Sequence, residues 1–392
     1  MNVLAFCDHY LPGYLAGGPI RSVSAIVERL SDSMSFAIVT RDRDLGSDRP
    51  YEGVRRGAWS RAGRAEVRYL APGEIRAGIL AAILRDRPAD LVYLNSLFSP
   101  AFTIRALALR RLGRIPDVPF LLAPRGELSP GALAIRAWKK RPYLALSRAA
   151  GLYDGVHWHL TSEAELGDLR RSSLNRRPGV VSDDRVWIAP PIPTPIDPHT
   201  FPERAPKRPG TARIAFLSRV APKKNLDFAL RALRGVEGAI RFDVWGPLED
   251  RGYWQQCLVE ASALPPTVRF EHRGTAEPGE VGRTLAGYDL FLFPTRGENF
   301  GHVIWESLAA GCPVLISDQT PWTGLEEAGA GWIRPLDDIE RFREVLRAVV
   351  GQDDDDARRR SHSAREYAEH WVAVSGGVDR MRRVFEGAAR GR

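Results

Sequence analysis

Two glutamates, Glu298 and Glu306, stand eight residues apart in the segment Leu290-Phe-Leu-Phe-Pro-Thr-Arg-Gly-Glu-Asn-Phe-Gly-His-Val-Ile-Trp-Glu306. Its opening apolar run reads as a strand, a Gly-containing turn follows, and an apolar helix continues to about Ala310. Glu298 falls in the loop at the helix start, where the backbone N–H groups of Asn299, Phe300 and Gly301 are placed to meet an anion or sugar hydroxyls. Glu306 lies among Val303, Ile304, Trp305, Leu308 and Ala309, a setting that is costly for a carboxylate unless something hydrogen-bonds it. Eight residues of helix rise about 12 Å. That exceeds the roughly 5–9.5 Å between the paired carboxylates of glycoside hydrolases, so the spacing suits two grips on separate parts of one elongated ligand. Without a ligand, Glu298 would be a helix-capping acid and Glu306 a solvated surface carboxylate.

A second group lies in Ile214-Ala-Phe-Leu-Ser-Arg-Val-Ala-Pro-Lys-Lys-Asn225, a strand followed by a short turn and a helix from near Asn225. Two cations at a strand's carboxyl end, Arg219 and Lys224, can clamp a diphosphate, Arg with its planar fork and Lys as a mobile point charge. The bland alternative is a solvated turn. Only five of the 56 basic residues are lysines (Lys139, Lys140, Lys207, Lys223 and Lys224), so two in one turn favour a chemical reason for them. A third group, Tyr10-Leu-Pro-Gly-Tyr-Leu-Ala-Gly-Gly-Pro-Ile-Arg21, follows the first strand and leads into a helix. Gly17 and Gly18 let backbone approach a ligand closely, and Pro19 suits the first helical turn. The spacing is not G-x-G-x-x-G, so a nicotinamide-dinucleotide site is unsupported.

Short apolar runs alternate with longer amphipathic segments from end to end, the pattern of βαβ units and mainly parallel sheets. Strands are expected at Val3–Cys7, Phe36–Thr40, Leu91–Asn95, Phe120–Ala123, Val156–Thr161 and Val186–Ala189. In the second half they are expected at Ile214–Leu217, Ile240–Val244, Val268–Phe270, Leu290–Phe293 and Pro313–Ile316. Between the halves, eight prolines fall within residues 190–209, where average usage gives about one. This stretch reads as a semi-rigid extended linker. The organisation expected is therefore an α/β chain of two Rossmann-like domains, 1–189 and 211–374, joined by a 190–210 linker, with ligands in a cleft at the carboxyl ends of both sheets.

A chain of 392 residues with 44% hydrophobic and 27% charged residues is globular and large enough for two cores. Its net charge of +8 favours anionic partners without choosing among nucleotide phosphates, anionic membranes and nucleic acid. The arginines are scattered along both halves rather than forming a stripe beside aromatic platforms, which argues against nucleic acid. Cys7, Cys257 and Cys312 are widely separated and lack metal or disulfide spacing, which fits a reducing compartment. No signal peptide and no stretch of roughly 18 apolar residues is seen. Asp353-Asp-Asp-Asp356 precedes a helix and reads as its N-cap rather than a metal site. The segment Pro130–Ala150 mixes Arg136, Lys139, Lys140, Arg141 and Arg148 with Leu133, Ile135, Trp138, Tyr143, Leu144 and Leu146. It reads as a basic amphipathic helix, either a solvated outer helix or one that lies on an anionic membrane.

Together these residues resemble the retaining glycosyltransferases of family 4, whose fold is the two-domain GT-B architecture. The likeness covers essentially the whole chain, and its most specific element is E-x7-E, Glu298 to Glu306, with the Glu-Asn-Phe-Gly opening. The Gly17-Gly18 loop, the Arg219/Lys224 pair and the Trp245-Gly246-Pro247 turn support it. Tyr14–Ser22, Ala123-Pro-Arg-Gly-Glu-Leu-Ser129 and Ser317-Asp-Gln-Thr-Pro-Trp322 look like the subgroup found in bacterial exopolysaccharide and O-antigen assembly. The resemblance implies a UDP- or GDP-sugar donor and a lipid-linked saccharide acceptor. Glu298 would hold hydroxyls of the donor sugar and Glu306 the ribose, with Arg219 and Lys224 neutralising the departing diphosphate. Gly18 would offer an N–H near the phosphates, and the Arg273-Gly274-Thr275 loop would meet the base. It further implies no metal or other cofactor, and a cytoplasmic protein peripheral to the inner face of the plasma membrane. The helix at about 375–392 would pack back onto the N-terminal, acceptor-binding domain, leaving the nucleotide sugar to the C-terminal one.

Many members of that family carry a histidine near the donor sugar where this chain reads Pro124-Arg125-Gly126-Glu127, so Arg125 and Glu127 are the candidate cleft residues there. His157 and His159 lie on a later strand and read as packing histidines. The rivals are a nucleotide-sugar epimerase of the same shape and a silent nucleotide-sugar or polysaccharide-binding module. Loss of a glutamate or of the Arg/Lys pair would have favoured the latter, and all four residues are present.

Overall fold

The computed structural model describes residues 1–194, 201–202 and 204–391. Residues 195–200 and 203 of the expected linker, and Arg392, lie outside the described residues. The chain divides into two compact units, Met1–Thr194 with Gly376–Arg392, and Pro195–Ser375.

The first unit runs β1 (Asn2–Cys7), α1 (Gly18–Leu30), β2 (Ser35–Arg41), β3 (Trp59–Ala62), β4 (Ala65–Leu70), α2 (Ala77–Asp86), β5 (Leu91–Asn95), α3 (Thr103–Arg111), β6 (Phe120–Ala123), α4 (Pro130–Ala134), α5 (Ala137–Ala149), β7 (His157–Leu160), α6 (Glu163–Arg171) and β8 (Val186–Ile188). Its sheet has the order β3-β4-β2-β1-β5-β6-β7-β8. Pairing is parallel except in the β3–β4 hairpin. Val3–Cys7 is buried throughout, because helices cover both faces of such a sheet and its strands are apolar on both sides. From β1 the chain goes to β2 on one side and later to β5 on the other, so the order reverses at β1 and β5, where open α/β sheets have their crevice.

The second unit runs β9 (Thr211–Leu217), α7 (Leu226–Leu233), β10 (Ala239–Trp245), α8 (Arg251–Ser262), β11 (Val268–His272), α9 (Val281–Ala286), β12 (Leu290–Phe293), α10 (His302–Ala309), β13 (Val314–Ser317), β14 (Gly331–Arg334), α11 (Ile339–Gly351) and α12 (Asp354–Ser375). Its all-parallel sheet, β11-β10-β9-β12-β13-β14, reverses order between β9 and β12. The last helix, α13 (Gly377–Ala389), buries Met381, Val384, Phe385 and Ala388 in the first unit. There the Phe385 ring lies 5.1 Å from that of Tyr93. Gly387 lets Trp187 approach, since a Cβ would come within 2.2 Å of its ring.

All eleven expected strands are present, and β3, β4 and β14 are added. β4 alternates buried Ala65, Val67 and Tyr69 with more exposed Glu66 and Arg68, the period of a strand with only one apolar face. β3 is a short partly exposed edge strand. β14 carries little apolar signal because it opens on Gly331, where a Cβ would meet the Val314 carbonyl at 2.4 Å. The single helix expected over Pro130–Ala150 is instead two, broken where Arg136 takes φ 55°. Asp353 accepts from the Asp356 N–H at 2.9 Å at the start of α12. Asp354 accepts from Arg204, Arg358 and the Lys207 N–H.

Candidate active site

In the second unit the loops after β9 and β12 are tied at the topological switch point. Asn225, buried with φ 63°, donates from Nδ2 to the Pro294 carbonyl at 2.9 Å and accepts from Arg296 Nε at 3.0 Å. The Arg296 N–H donates to the Lys223 carbonyl at 2.8 Å. Across this seam Lys224 Nζ donates to Glu298 Oε1 at 2.6 Å, both side chains being nearly buried (13% and 12% exposed). The Thr295 hydroxyl donates to the same oxygen at 2.9 Å. Burial pushes the Glu298 carboxyl up, but the Lys224 charge and hydrogen bond, the Lys223 charge and the Thr295 hydroxyl outweigh it and hold the group below the usual carboxylate range. Glu298 is therefore an ionised acceptor at neutral pH.

Arg219 lies on the β9 loop, with Nη1 2.5 Å from Glu249 Oε2 in a partly exposed pair. Three backbone bonds join the neighbouring loops: Ser218 N–H to Trp245 O (2.9 Å), Val220 N–H to Pro247 O (2.9 Å) and Gly246 N–H to Gly274 O (2.7 Å). Gly246 permits this, with φ 133° and a Cβ position only 2.0 Å from the Ser218 carbonyl oxygen. Gly274 is thereby fixed beside the Arg219 loop, and Thr275 is exposed. The N-cap of α10 is Gly301, at φ 80° and without a side-chain cap, which corrects the capping reading of Glu298. Glu306, in α10, is only 7% exposed, so it is not a solvated surface carboxylate. Asn299, Phe300 and Gly301 occupy the turn between them.

In the first unit Gly17 and Gly18 stand where β1's loop enters α1, with Gly17 at φ 69° as an N-cap without a side-chain bond. Asp44 Oδ2 pins that loop by accepting from the Tyr14 and Leu15 N–H groups at 2.7 and 3.0 Å. After β6, Arg125 takes φ 54° and donates to Asn95 Oδ1 at 2.8 Å and to the Tyr93 hydroxyl at 2.6 Å. Tyr93 in turn lies 3.1 Å from His159 Nδ1. Burial, then the Arg125 charge, lowers His159 to about 3, leaving it neutral. His157 Nδ1 accepts from Trp187 Nε1 at 3.3 Å, so both histidines are accounted for by packing. Glu127 accepts from Ser96 Oγ (2.9 Å) and from the Leu97 and Phe98 N–H groups (2.5 and 3.2 Å). Both of its oxygens are thus taken by the loop after β5, which it shapes.

The structure gathers Arg219, Lys224, Gly274 and Glu298 onto loops that hydrogen-bond one another, and keeps Gly17, Gly18, Arg125 and Glu127 in the other unit. Asn225, Thr295 and Asp44, which hold these loops, escaped sequence reasoning. Asn225 and Asp44 bond to partners far along the chain, Thr295 bonds Glu298 three residues on, and only the polar residues' position after strands hinted at them.

The model of the family described as "Glycosyl transferases group 1" matches residues 199–371. The chain is 29% identical over 320 residues to a phosphatidyl-myo-inositol mannosyltransferase of Mycobacterium leprae (strain TN), covering 75% of this chain and 81% of that protein. It is 31% identical over 109 residues to a GDP-mannose-dependent alpha-mannosyltransferase of Mycobacterium tuberculosis (strain CDC 1551 / Oshkosh), covering 28% of this chain and 26% of that one. Among solved structures, the glycosyltransferase WaaG involved in lipopolysaccharide biosynthesis superposes with a TM-score of 0.65 at 16% identity, over 99% of this chain and 98% of that one, a likeness of fold. Residues 199–371, which carry the Arg219/Lys224 pair, Glu298 and Glu306, thus match the group 1 glycosyltransferases, and the chain as a whole has the fold of a GT-B glycosyltransferase.

Proposed function

We propose that the protein transfers a hexose, with retention at the anomeric carbon, from a nucleoside diphosphate sugar to a lipid-linked acceptor in the synthesis of a bacterial surface glycan. The observation that carries this reading is the Lys224–Glu298 pair, an ammonium and an ionised carboxylate held 2.6 Å apart beside Arg219 at the carboxyl ends of β9 and β12. Lys224 and Arg219 neutralise the diphosphate as its bond to the sugar breaks, which lowers the barrier where charge develops. Arg219's pair with Glu249 is partly exposed and worth about 1 kcal/mol or less, so its guanidinium exchanges partners at small cost. Lys224 stays with Glu298, which accepts from donor-sugar hydroxyls. Glu306 takes the ribose, Gly274 and Thr275 meet the base, and Gly17 and Gly18 supply backbone N–H groups. Arg125, oriented by Asn95 and Tyr93, serves the acceptor side, with Glu127 as its loop brace. With the leaving group neutralised by side chains, no metal is required.

The names of the two mycobacterial relatives favour GDP-mannose as donor and a lipid as acceptor. Among the described residues no helix is long and apolar enough to cross a membrane, so a lipid acceptor would be met at a surface. α4 and α5 offer one. Ile135, Trp138 and Leu146 are exposed, as are Arg136, Lys139 and Arg141, and no acidic residue occurs between Pro130 and Tyr153.

The test needs no acceptor: release of GDP from GDP-mannose, and of UDP from UDP-glucose, with water as acceptor and EDTA present. One donor should turn over, and Lys224→Ala should lower its rate roughly 10²-fold or more. Turnover only with a divalent cation, or an unaffected variant, would contradict the reading. Release of free sugar undiminished by added acceptors would instead favour an epimerase.

A further inference from the structure

The loop that carries Glu298 ends at Gly301, and its last peptide, Phe300–Gly301, has an unusual brace. Trp322 Nε1 donates to the Phe300 carbonyl at 2.6 Å, and the indole is 3% exposed. Two further bonds tie the same loop to the end of β13 and the segment after it: the Glu298 N–H donates to the Gln319 carbonyl at 3.0 Å, and Ser317 Oγ to the Thr295 carbonyl. Trp322 itself is held by α12. Its ring lies 5.4 Å from Trp371 and 6.2 Å from Tyr367, whose hydroxyl bonds the Thr323 carbonyl at 2.6 Å. Phe300 stacks into the same cluster, 5.2 Å from both indoles.

A peptide is one rigid plane with its C=O and N–H on opposite sides. Holding the Phe300 carbonyl therefore fixes the direction of the Gly301 N–H. Among the described residues that N–H has no protein acceptor. Gly301 at φ 80° has the freedom to let the plane rotate, so without the indole bond nothing local would hold it. Ring packing alone does not set a carbonyl's direction; a hydrogen bond does.

We infer that Trp322 is a positioning residue for the donor sugar: its indole N–H locks the Phe300–Gly301 peptide so that the Gly301 N–H and the Glu298 carboxylate face the sugar together. The inference rests on the donor-site reading above. It predicts a split, because the nucleoside diphosphate is held by Glu306, Arg219, Lys224 and Gly274 while the sugar depends on the braced loop.

The experiment measures GDP and UDP affinity by calorimetry and donor turnover in water for Trp322→Phe, for Trp371→Phe, and for β-(3-benzothienyl)alanine at position 322. The last replaces the N–H by sulfur in a ring of nearly the same shape and so covers a Trp322→Phe that fails to fold. Both changes at 322 should leave diphosphate affinity within about threefold and lower kcat about tenfold or more, whereas Trp371→Phe, which keeps the N–H bond, should stay within about threefold of the parent. Parental kcat in the benzothienyl protein, or equal losses at 322 and 371, would overturn the inference. Glu298→Gln, run alongside, separates the two levels: undiminished turnover there overturns the donor-site reading, while a loss there with none at 322 overturns only the role of Trp322.

Discussion

Lys224 and Glu298 neutralise one another, and removing either leaves a nearly buried charge behind. Glu298→Gln releases the Lys224 ammonium, so GDP or UDP should bind as tightly as before or tighter, while donor turnover falls about 10²-fold. Glu306→Gln should do the reverse, weakening diphosphate affinity about tenfold or more through the lost charged hydrogen bond to the ribose while changing turnover of bound donor little. Calorimetry beside turnover assays distinguishes them, and variants that alter neither quantity would refute both roles. Glu306 was legible in the sequence because a carboxylate set in an apolar helix demands an explanation, and Glu298 by its place in the loop between a strand and that helix. The bond of Asn225 was not, since it depends on which distant loop the sheet order brings alongside.

At the scale of elements, the parallel strands were legible because burial on both faces writes them as continuous apolar runs. β4 hid in an alternating pattern and β14 behind a glycine needed for close strand approach. The α4–α5 segment shows the same limit. Its composition announced a basic amphipathic helix, but nothing in it marks the left-handed Arg136 that splits it. If the exposed face of α5 rests on anionic lipid, vesicles of phosphatidylglycerol should co-sediment the protein and vesicles of phosphatidylcholine should not. Trp138→Glu adds a negative charge to a side chain 74% exposed and should lower that binding several-fold without touching diphosphate affinity. Equal binding to both vesicle types, or an unchanged variant, would leave α5 a solvated helix.

Over the whole molecule, each unit has its own sheet, parallel but for the β3–β4 hairpin, its own buried apolar clusters and its own switch point. The family match to residues 199–371 falls in the second unit, the one with the cation pair and both glutamates. That unit alone makes a prediction about nucleotides. In the first unit Arg125 and Glu127 are bonded to β5 and the loop after it, partners 29–32 residues away that the sequence does not mark. The most direct test is calorimetric titration of the purified protein with GDP and then UDP, without metal, repeated on Arg219→Ala. GDP should bind more tightly than UDP, and the variant should lose about tenfold or more of that affinity. Binding of neither nucleotide, or equal binding by the variant, would contradict the assignment of the β9 and β12 loops as the diphosphate site.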